Sequence, residues 1–533
     1  MAAIVSVASP SSSVINEIFA DESWLCISHR KKLIFTNHSY PVYERLAFPN
    51  KNIHTHFLEK CLLHFLRIGT IATNMAVEGN WMGHKKEHWT SRVGFILASA
   101  GAAIGLGQIW KFPYVTGMSG GGAFFLLFII FTLLIGLPML ISEYIIGRGS
   151  GKEAINAYKK LAPDSAWVWV GRIGVIGSFL LLSFYSVVGG WVLIYSMRSV
   201  LGKIIAEGAD YSALFGSIIS SPVTTLVGLF IFTLLNVIVI AFGIANGIER
   251  ANKIMMPLLF IFFIVLVVRA LTLDGAMEGV VFFLAPDFSK LTGESILFAL
   301  GQSFFSLSVG FSCMVTYSSY LKRDVSLTSS AGSVAALNIF TSFLAGLAIF
   351  PVVFALGFEP TEGPGLLFMV LPAAFGEIPF GAFFLALFLV LLLFATLTSS
   401  FSLYEIIVAA ITANGKLSRK QAALIIGLVV FVAAIPSALT ESVLFDVTIF
   451  GKTIFDATDY LVSNILLPLG GLLIALFIIH RADKSFVKEE FLLAGNAGET
   501  LYKAWRGLMT WLVPIVIIVV FLDTLGLTKW IFG

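Results

Sequence analysis

Runs of about twenty apolar residues recur along this chain from residue 90 onward, each long enough to cross a hydrocarbon core. In such a core the backbone can satisfy its N–H and C=O groups only as a helix or a closed barrel. Barrel strands alternate apolar and polar residues. These runs are continuous, so the chain reads as an all-α polytopic membrane protein. The spans are expected near 90–113, 121–147, 168–200, 222–243, 251–273, 293–320, 330–357, 378–411, 418–438, 455–480 and 508–530. Composition agrees: 58% of the residues are hydrophobic and 12% are charged, outside the range of soluble domains. Cys26, Cys61 and Cys313 stand at no metal-ligand spacing, and no nucleic-acid signature is present.

The first 74 residues differ from the rest. They hold five of the eight histidines and no spanning segment. No small-residue cleavage site follows LEKCLLHFLRIGTIATN, so it is not read as a signal peptide. Met75 reads as a natural start, with the preceding segment an over-long or disordered extension; a regulatory tail is the competing reading.

Charge placement orients the spans. If the segment before span 1 is cytoplasmic, the inner loops carry Arg148, Lys152, Lys159, Lys160, Arg250, Lys253, Lys322, Arg323, Arg419, Lys420, Arg481 and Lys484. The outer loops carry little beyond Lys203, Lys290 and Lys452 and are acidic instead. The amino terminus is therefore expected inside and the carboxy terminus outside.

Two spans are interrupted. Span 1 contains GAAIGLGQIWKFPY, residues 101–114, and breaks over residues 103–107. Span 6 breaks around Ser306, Leu307, Ser308, Val309 and Gly310. A single G-x-G in a membrane helix more often serves helix packing. Two interruptions five spans apart, each with polar neighbours, point instead to a transporter built from inverted repeats. Unwound backbone is tolerated at mid-membrane where it lines a cavity. There its free N–H groups can hold an anion and its free carbonyls a cation.

Several segments, in order, resemble the neurotransmitter:sodium symporters, including their bacterial amino-acid members. They are HWTSRVGFILASAGAAIGLGQIWKFPY, GGGAFFLLFIIFTLLIGLPMLISEYIIGR, GIERANKIMMPLLF, GQSFFSLSVGFS, NIFTSFLAGLAIF, ATLTSS and TDYLVSNILLP. The resemblance runs from about Glu87 to Phe532. It implies the LeuT-type fold of eleven transmembrane helices, with helices 1 and 6 unwound mid-membrane. The two inverted five-helix repeats would cover about 88–273 and 293–480, with an extra helix at about 508–530. It also implies residence in the plasma (inner) membrane.

The resemblance further implies two sodium sites. The first would use Ala103, Gln108, Ser306 and Asn338, with Gln108 where the family carries asparagine. The second would use carbonyls of Gly101, Ile104 and Ala395 with the hydroxyls of Thr398 and Ser399. Read by themselves, the TLTSS hydroxyls could equally bond back to their own helix. The substrate pocket would be lined by Ala102, Ala103, Gly105, Leu106, Gly107, Leu181, Tyr185, Phe305, Ser306, Ser308, Phe311, Ser399, Ser400 and Leu403. Monoamine members carry aspartate where Gly105 stands. A substrate bound here should therefore bring its own carboxylate, and the apolar lining favours a neutral hydrophobic or aromatic amino acid.

A weak requirement for chloride is expected, with the ion among Gln302, Ser306, Asn338 and Ser342. The family's tyrosine ligand in span 2 is replaced by Phe128. Lys111 and Asp459 match the outer gate, with Phe305 and Tyr185 as its lid. Glu143 would brace the unwound part of span 6. Trp89 and Tyr320 match the inner gate, with Lys86 where arginine is usual. Ala413 stands where the family carries a carboxylate in span 8, which removes the expected basis for an inner salt bridge. The sequence thus reads as a sodium-coupled amino-acid symporter rather than an enzyme, since its mid-membrane polar residues form no nucleophile–base set. A proton-coupled carrier and a non-transporting sensor on the same scaffold are the alternatives.

Overall fold

A computed structural model describes residues 87–205, 210–357, 366–495 and 497–525. The 74-residue extension, Met75 and Lys86 lie outside the described residues. Nine helices among the described residues are long and apolar enough to cross a membrane. They are span 2 (Gly122–Ser150), span 3 (Val168–Val200), span 4 (Pro222–Ala241), span 5 (Ile244–Leu271) and span 7 (Leu327–Ala355). The set continues with span 8 (Gly381–Thr412), span 9 (Arg419–Ala438), span 10 (Ile454–Arg481) and span 11 (Glu499–Thr524). Span 1 is a bent pair, Arg92–Ala103 and Gly107–Met118, with 56° between its halves. Span 6 is two short pieces, Gly293–Phe305 and Cys313–Ser318, so neither half alone has the length of a crossing helix.

Local chemistry sets the helix starts. Ser91, Ser221, Ser326 and Ser418 each cap a span by accepting a hydrogen bond from the backbone N–H three residues on. Ser418 and Gln421 complete a reciprocal capping box, and Pro222 opens span 4 at a position where its missing N–H costs nothing.

Spans 5 and 11 begin earlier than the sequence expectation, at Ile244 rather than near 251 and at Glu499 rather than near 508. In span 5 the charges that argued for a loop find partners at the start of span 1 and one turn along the helix. Glu249 accepts from Thr90 N at 2.7 Å and Ser91 Oγ at 3.1 Å, and pairs with Lys253 Nζ at 2.6 Å. Its carboxylate therefore ties span 5 to the start of span 1.

Burial shows which helices form the centre. In their most apolar windows, spans 3 and 7 are 72% buried, against 22% for span 11. Span 8 lies along spans 3 and 5, and span 4 fits between spans 3 and 9. The two broken spans meet spans 3 and 8 in the middle of this packing, and the cavity lies there.

Candidate functional site

Span 1 ends its first helix at Ala103. Ile104 leaves the helical region with φ −87° and ψ 81°, and Gly105 N returns only to Ala103 O at 3.2 Å. A carbonyl freed by the break, that of Ala102, accepts from Ser308 Oγ of span 6 at 2.7 Å and Ser399 Oγ of span 8 at 3.1 Å. The break is thus held by hydroxyls from two other spans. Gly105 is required by close approach: a Cβ there would stand 2.8 Å from Ser399 Oγ and 3.0 Å from the Tyr185 hydroxyl.

Span 6 breaks between Phe305 and Cys313, where Ser308, Gly310 and Ser312 all have positive φ. At Gly310, φ is 108°, a conformation that only glycine adopts without strain. Glu143, fully buried in span 2, accepts from Gly310 N at 2.7 Å, Met314 N at 3.2 Å and Val315 N at 3.3 Å. One carboxylate so satisfies the orphan N–H groups at the start of the second half of span 6. This is the bracing role expected of it.

A cavity of about 40 Å³ lies between the two breaks. It is lined by the expected Ala103, Gly105, Leu106, Gly107, Leu181, Tyr185, Phe305, Ser306, Ser308, Phe311, Ser399 and Leu403, and also by Cys313 and Leu467. No charged side chain lines it. The Leu106 amide donates to the Tyr185 hydroxyl at 3.5 Å, which marks a polar end. Leu181, Phe311 and Leu403 make the apolar end. Leu467 lies within the quoted TDYLVSNILLP segment, against Gly310 in the break of span 6; Cys313 carried no sequence signal.

Two expected lining residues are corrected. Ala102 is not on the cavity wall and contributes its carbonyl to the cross-links above. Ser400 turns away, because its hydroxyl donates to Asn236 Oδ1 of span 4 at 2.5 Å and to Leu397 O at 2.8 Å. Its neighbour Ser399 takes the inward position, as one residue along a helix turns the side chain by roughly 100°.

At the first expected sodium set, Asn338 Nδ2 donates to Ser306 O at 2.6 Å, and Asn338 Oδ1 has no hydrogen-bond partner. Gln108 Oε1 accepts from Ser342 Oγ at 3.0 Å, while Gln108 Nε2 is buried and unpartnered. At the second set, Thr398 Oγ1 donates to Phe394 O at 3.0 Å and Ala395 O at 3.1 Å. Thr398 therefore bonds to its own helix while Ser399 crosses to span 1. Both hydroxyls have their protons committed and keep lone pairs for a cation. Among the described residues no group of three or more His, Cys, Asp or Glu gathers. The oxygens of these sets are neutral dipoles, which suits a hard monovalent cation.

The four residues expected around chloride are brought to the same neighbourhood. Gln302 Nε2 donates to Gly107 O at 2.9 Å, Ser306 Oγ to Ser303 O at 3.3 Å and Ser342 to Gln108. Phe128 instead packs its ring against Phe112, with centroids 5.1 Å apart.

At the outer gate, the expected Lys111–Asp459 pair is not formed. Asp459 Oδ1 accepts from Ser463 Oγ at 2.7 Å, and Lys111 Nζ lies 5.5 Å from the centre of the Phe305 ring. Phe305 itself covers the cavity, and a Cβ on Gly107 would meet its ring at 2.7 Å.

At the opposite face, Trp89 Nε1 donates to Tyr317 O at 2.8 Å and its ring packs edge-on against Tyr317 and Tyr320. The expectation of no salt bridge here is corrected. Glu405, fully buried two turns before Ala413 on span 8, pairs with Arg419 of span 9 and accepts from the Tyr320 hydroxyl at 2.7 Å. Arg419 also reaches Glu87 at 3.5 Å and donates from Nε to Ile240 O at 2.8 Å. The family resemblance points to an acid only at the position of Ala413 and so does not point to Glu405. An ionisable residue in the run LYEIIV was the available signal.

Known proteins share this construction. The chain matches the family model described as "Sodium:neurotransmitter symporter family" over residues 86–207 and 216–530. It is 53% identical over 444 residues to YhdH of Bacillus subtilis (strain 168), which is named a sodium-dependent transporter; the match covers 83% of this chain and 98% of the relative. A sodium-dependent transporter of Haemophilus influenzae is 38% identical, with 83% of this chain and 98% of the relative covered. The structure of MhsT in complex with L-phenylalanine matches with TM-score 0.76 and 42% identity, covering 83% of this chain and 100% of MhsT. The broken spans, their shared cavity and these matches together establish a LeuT-type fold and a multi-pass, sodium-dependent membrane transporter, not an enzyme. The chain belongs to the sodium:neurotransmitter symporter family.

Proposed function

We propose that this chain is a symporter that couples entry of a neutral hydrophobic or aromatic amino acid to sodium by alternating access about the cavity between spans 1, 3, 6 and 8. The observation that carries the reading is the uncharged cavity beside Gly105. A substrate buried there must bring compensating charges of its own, since an unpaired charge in such a setting is costly. A zwitterion does so. Its carboxylate meets the Leu106 and Gly107 amides and the Tyr185 hydroxyl, and completes the first sodium set of Ala103, Gln108, Ser306 and Asn338. Its ammonium meets span 6 carbonyls and the Ser308 hydroxyl. Leu181, Phe305, Phe311 and Leu403 then take the side chain, in keeping with the L-phenylalanine complex of MhsT. The second sodium set is Gly101, Ile104, Ala395, Thr398 and Ser399. The Trp89 face is cytoplasmic, as the loop charges indicate, and the two halves about 88–273 and 293–480 act as inverted repeats.

The test is uptake of the twenty amino acids into proteoliposomes, with and without a sodium gradient. Apolar amino acids are expected to accumulate only with the gradient. Accumulation driven by a proton gradient alone would favour the proton-coupled carrier, and binding without flux would favour the sensor. Decarboxylated amines should fail to compete: tyramine against tyrosine, isoamylamine against leucine. Comparable competition by the amines would overturn the carboxylate reading. Tyr185→Phe should weaken amino-acid binding by about 1.5–3 kcal/mol, the loss expected for one hydrogen bond to a charged group.

Chloride is proposed as a weak co-requirement. Two sodium ions beside one substrate carboxylate leave net positive charge, and the buried donor Gln108 Nε2 lies unpartnered beside Ser342. Replacing chloride by gluconate at fixed sodium should lower wild-type uptake and leave Ser342→Glu indifferent. Equal wild-type uptake in gluconate removes Ser342 from the anion site.

A further inference from the structure

Asn252 lies in span 5 and played no part in the sequence reading beyond standing in GIERANKIMMPLLF. It is fully buried. Its Nδ2 donates to Ile248 O one turn back at 2.9 Å, which fixes the amide and turns Oδ1 away from its own helix. Asn252 Oδ1 has no hydrogen-bond partner. A buried carbonyl oxygen without a donor is disfavoured unless something supplies positive charge.

The surroundings of that oxygen identify what could. It lies against Gly101 in span 1, so closely that a Cβ on Gly101 would collide with it. The same Cβ would lie 3.0 Å from Thr398 Cβ of span 8. Gly101 and Thr398 both belong to the second sodium set. Span 5 therefore aims a free acceptor at a locus where span 1 and span 8 offer carbonyls and hydroxyl lone pairs. The Thr398 proton is committed to Phe394 O and Ala395 O, so no hydroxyl donor there is left to satisfy Asn252. A cation is the partner that this arrangement of acceptors lacks.

We propose that the Asn252 side-chain oxygen is a further ligand of the cation bound at the second site, supplied by a third helix. The proposal rests on the assignment of Gly101, Ile104, Ala395, Thr398 and Ser399 to that site. Its consequence is that sodium ties span 5 to spans 1 and 8. Glu249, three residues earlier on span 5, already holds the start of span 1 through Thr90 and Ser91. Release of the cation would leave the ties at the cytoplasmic end, those of Glu249 and of Lys253 to Thr90 among them.

The experiment measures 22Na+ binding to the purified full chain in detergent, with Asn252→Leu, Asn252→Asp and the Thr398→Ala, Ser399→Ala double variant. Asn252→Leu keeps similar bulk without an oxygen and should raise half-saturating sodium about tenfold, the effect of one lost polar contact to a charge. Asn252→Asp keeps an oxygen at the same place and should bind sodium at least as tightly as wild type. Both variants lose the bond to Ile248 O, so equal loss of affinity in the two would mean a structural role only and overturn the proposal. A Leu variant within twofold of wild type would overturn it as well. If the Leu variant does not fold, Asn252→Ser, which withdraws the oxygen, takes its place with the same expected loss. The double variant separates the two readings by stoichiometry: if it still binds two sodium ions per chain, the second site itself is misassigned, whereas loss of one of the two beside an unaffected Asn252→Leu rejects Asn252 alone.

Discussion

Replacing Thr398 and Ser399 together by alanine is expected to abolish sodium-driven uptake. In the proposed second sodium site each residue would contribute a hydroxyl oxygen to the cation, and among the described residues no group of three or more His, Cys, Asp or Glu is available to replace them. Polar contacts to charged groups are each worth about 1.5–3 kcal/mol, so two of them amount to roughly two to four powers of ten in sodium affinity. The fold should survive the change. Thr398 only bonds back to its own helix, and that loss is nearly neutral. Ser399 gives up one cross-link to Ala102 O, which Ser308 still holds at 2.7 Å. Uptake into proteoliposomes is the measurement, with sodium in one arm and choline in the other. Full activity in the double variant, or wild-type uptake unchanged in choline, would remove sodium coupling through this site.

The second large effect belongs to the Trp89 face. Arg419→Ala leaves Glu405 fully buried without its cation, and breaking a buried pair from one side costs about 3–5 kcal/mol. Tyr320 can offer the stranded carboxylate one hydroxyl, which does not neutralise a charge. Exchanging both partners for apolar residues, Glu405→Leu with Arg419→Met, should be far milder than Arg419→Ala alone. A buried pair often repays little more than its own desolvation. Thermal unfolding of the purified variants in detergent tests this: the single variant should fall well below the double. If the two fall equally, the pair is not the element that holds spans 8 and 9 together. The double variant also removes the acceptor for Tyr320, which ties span 6 to span 8. It should therefore expose the Trp89 face to aqueous thiol reagents at an introduced cysteine, even where stability is restored.

The pattern of success and failure in the sequence reading has a physical basis. Spans 3, 4, 7, 8, 9 and 10 fall within a few residues of their expected limits, because length and apolarity are local properties and the bilayer imposes a single length scale. Span 5 begins seven residues before its expected limit and span 11 nine, since Glu249, Arg250 and Lys253 in the one, and Glu499, Lys503 and Arg506 in the other, look like loop residues in the sequence; in span 5, Thr90 and Ser91 hold the carboxylate. Ser400 was placed in the cavity beside Ser399. Adjacent residues on a helix cannot share a face, and only the position of Asn236 on span 4 decides which of the two points inward. Glu405, two turns before Ala413 on the same helix, shows the same limit: only the tertiary position of Arg419 on span 9 reveals that this acid has a partner.

By itself, the sequence determined that this chain crosses a membrane many times as helices, that spans 1 and 6 are broken, and that no charge is provided where a substrate would sit at Gly105. These follow from apolar run length, from glycine and serine placement, and from residue identity. Tertiary structure decided which freed groups have partners. Ala102 O is taken by Ser308 and Ser399, Glu143 holds the backbone of span 6, and Lys111 and Asp459 stay apart. Asn338 Oδ1 and Asn252 Oδ1 are left open. Hydrogen-bond satisfaction depends on distances of about 3 Å between groups far apart in the chain, and only the packing of one helix against another sets those distances.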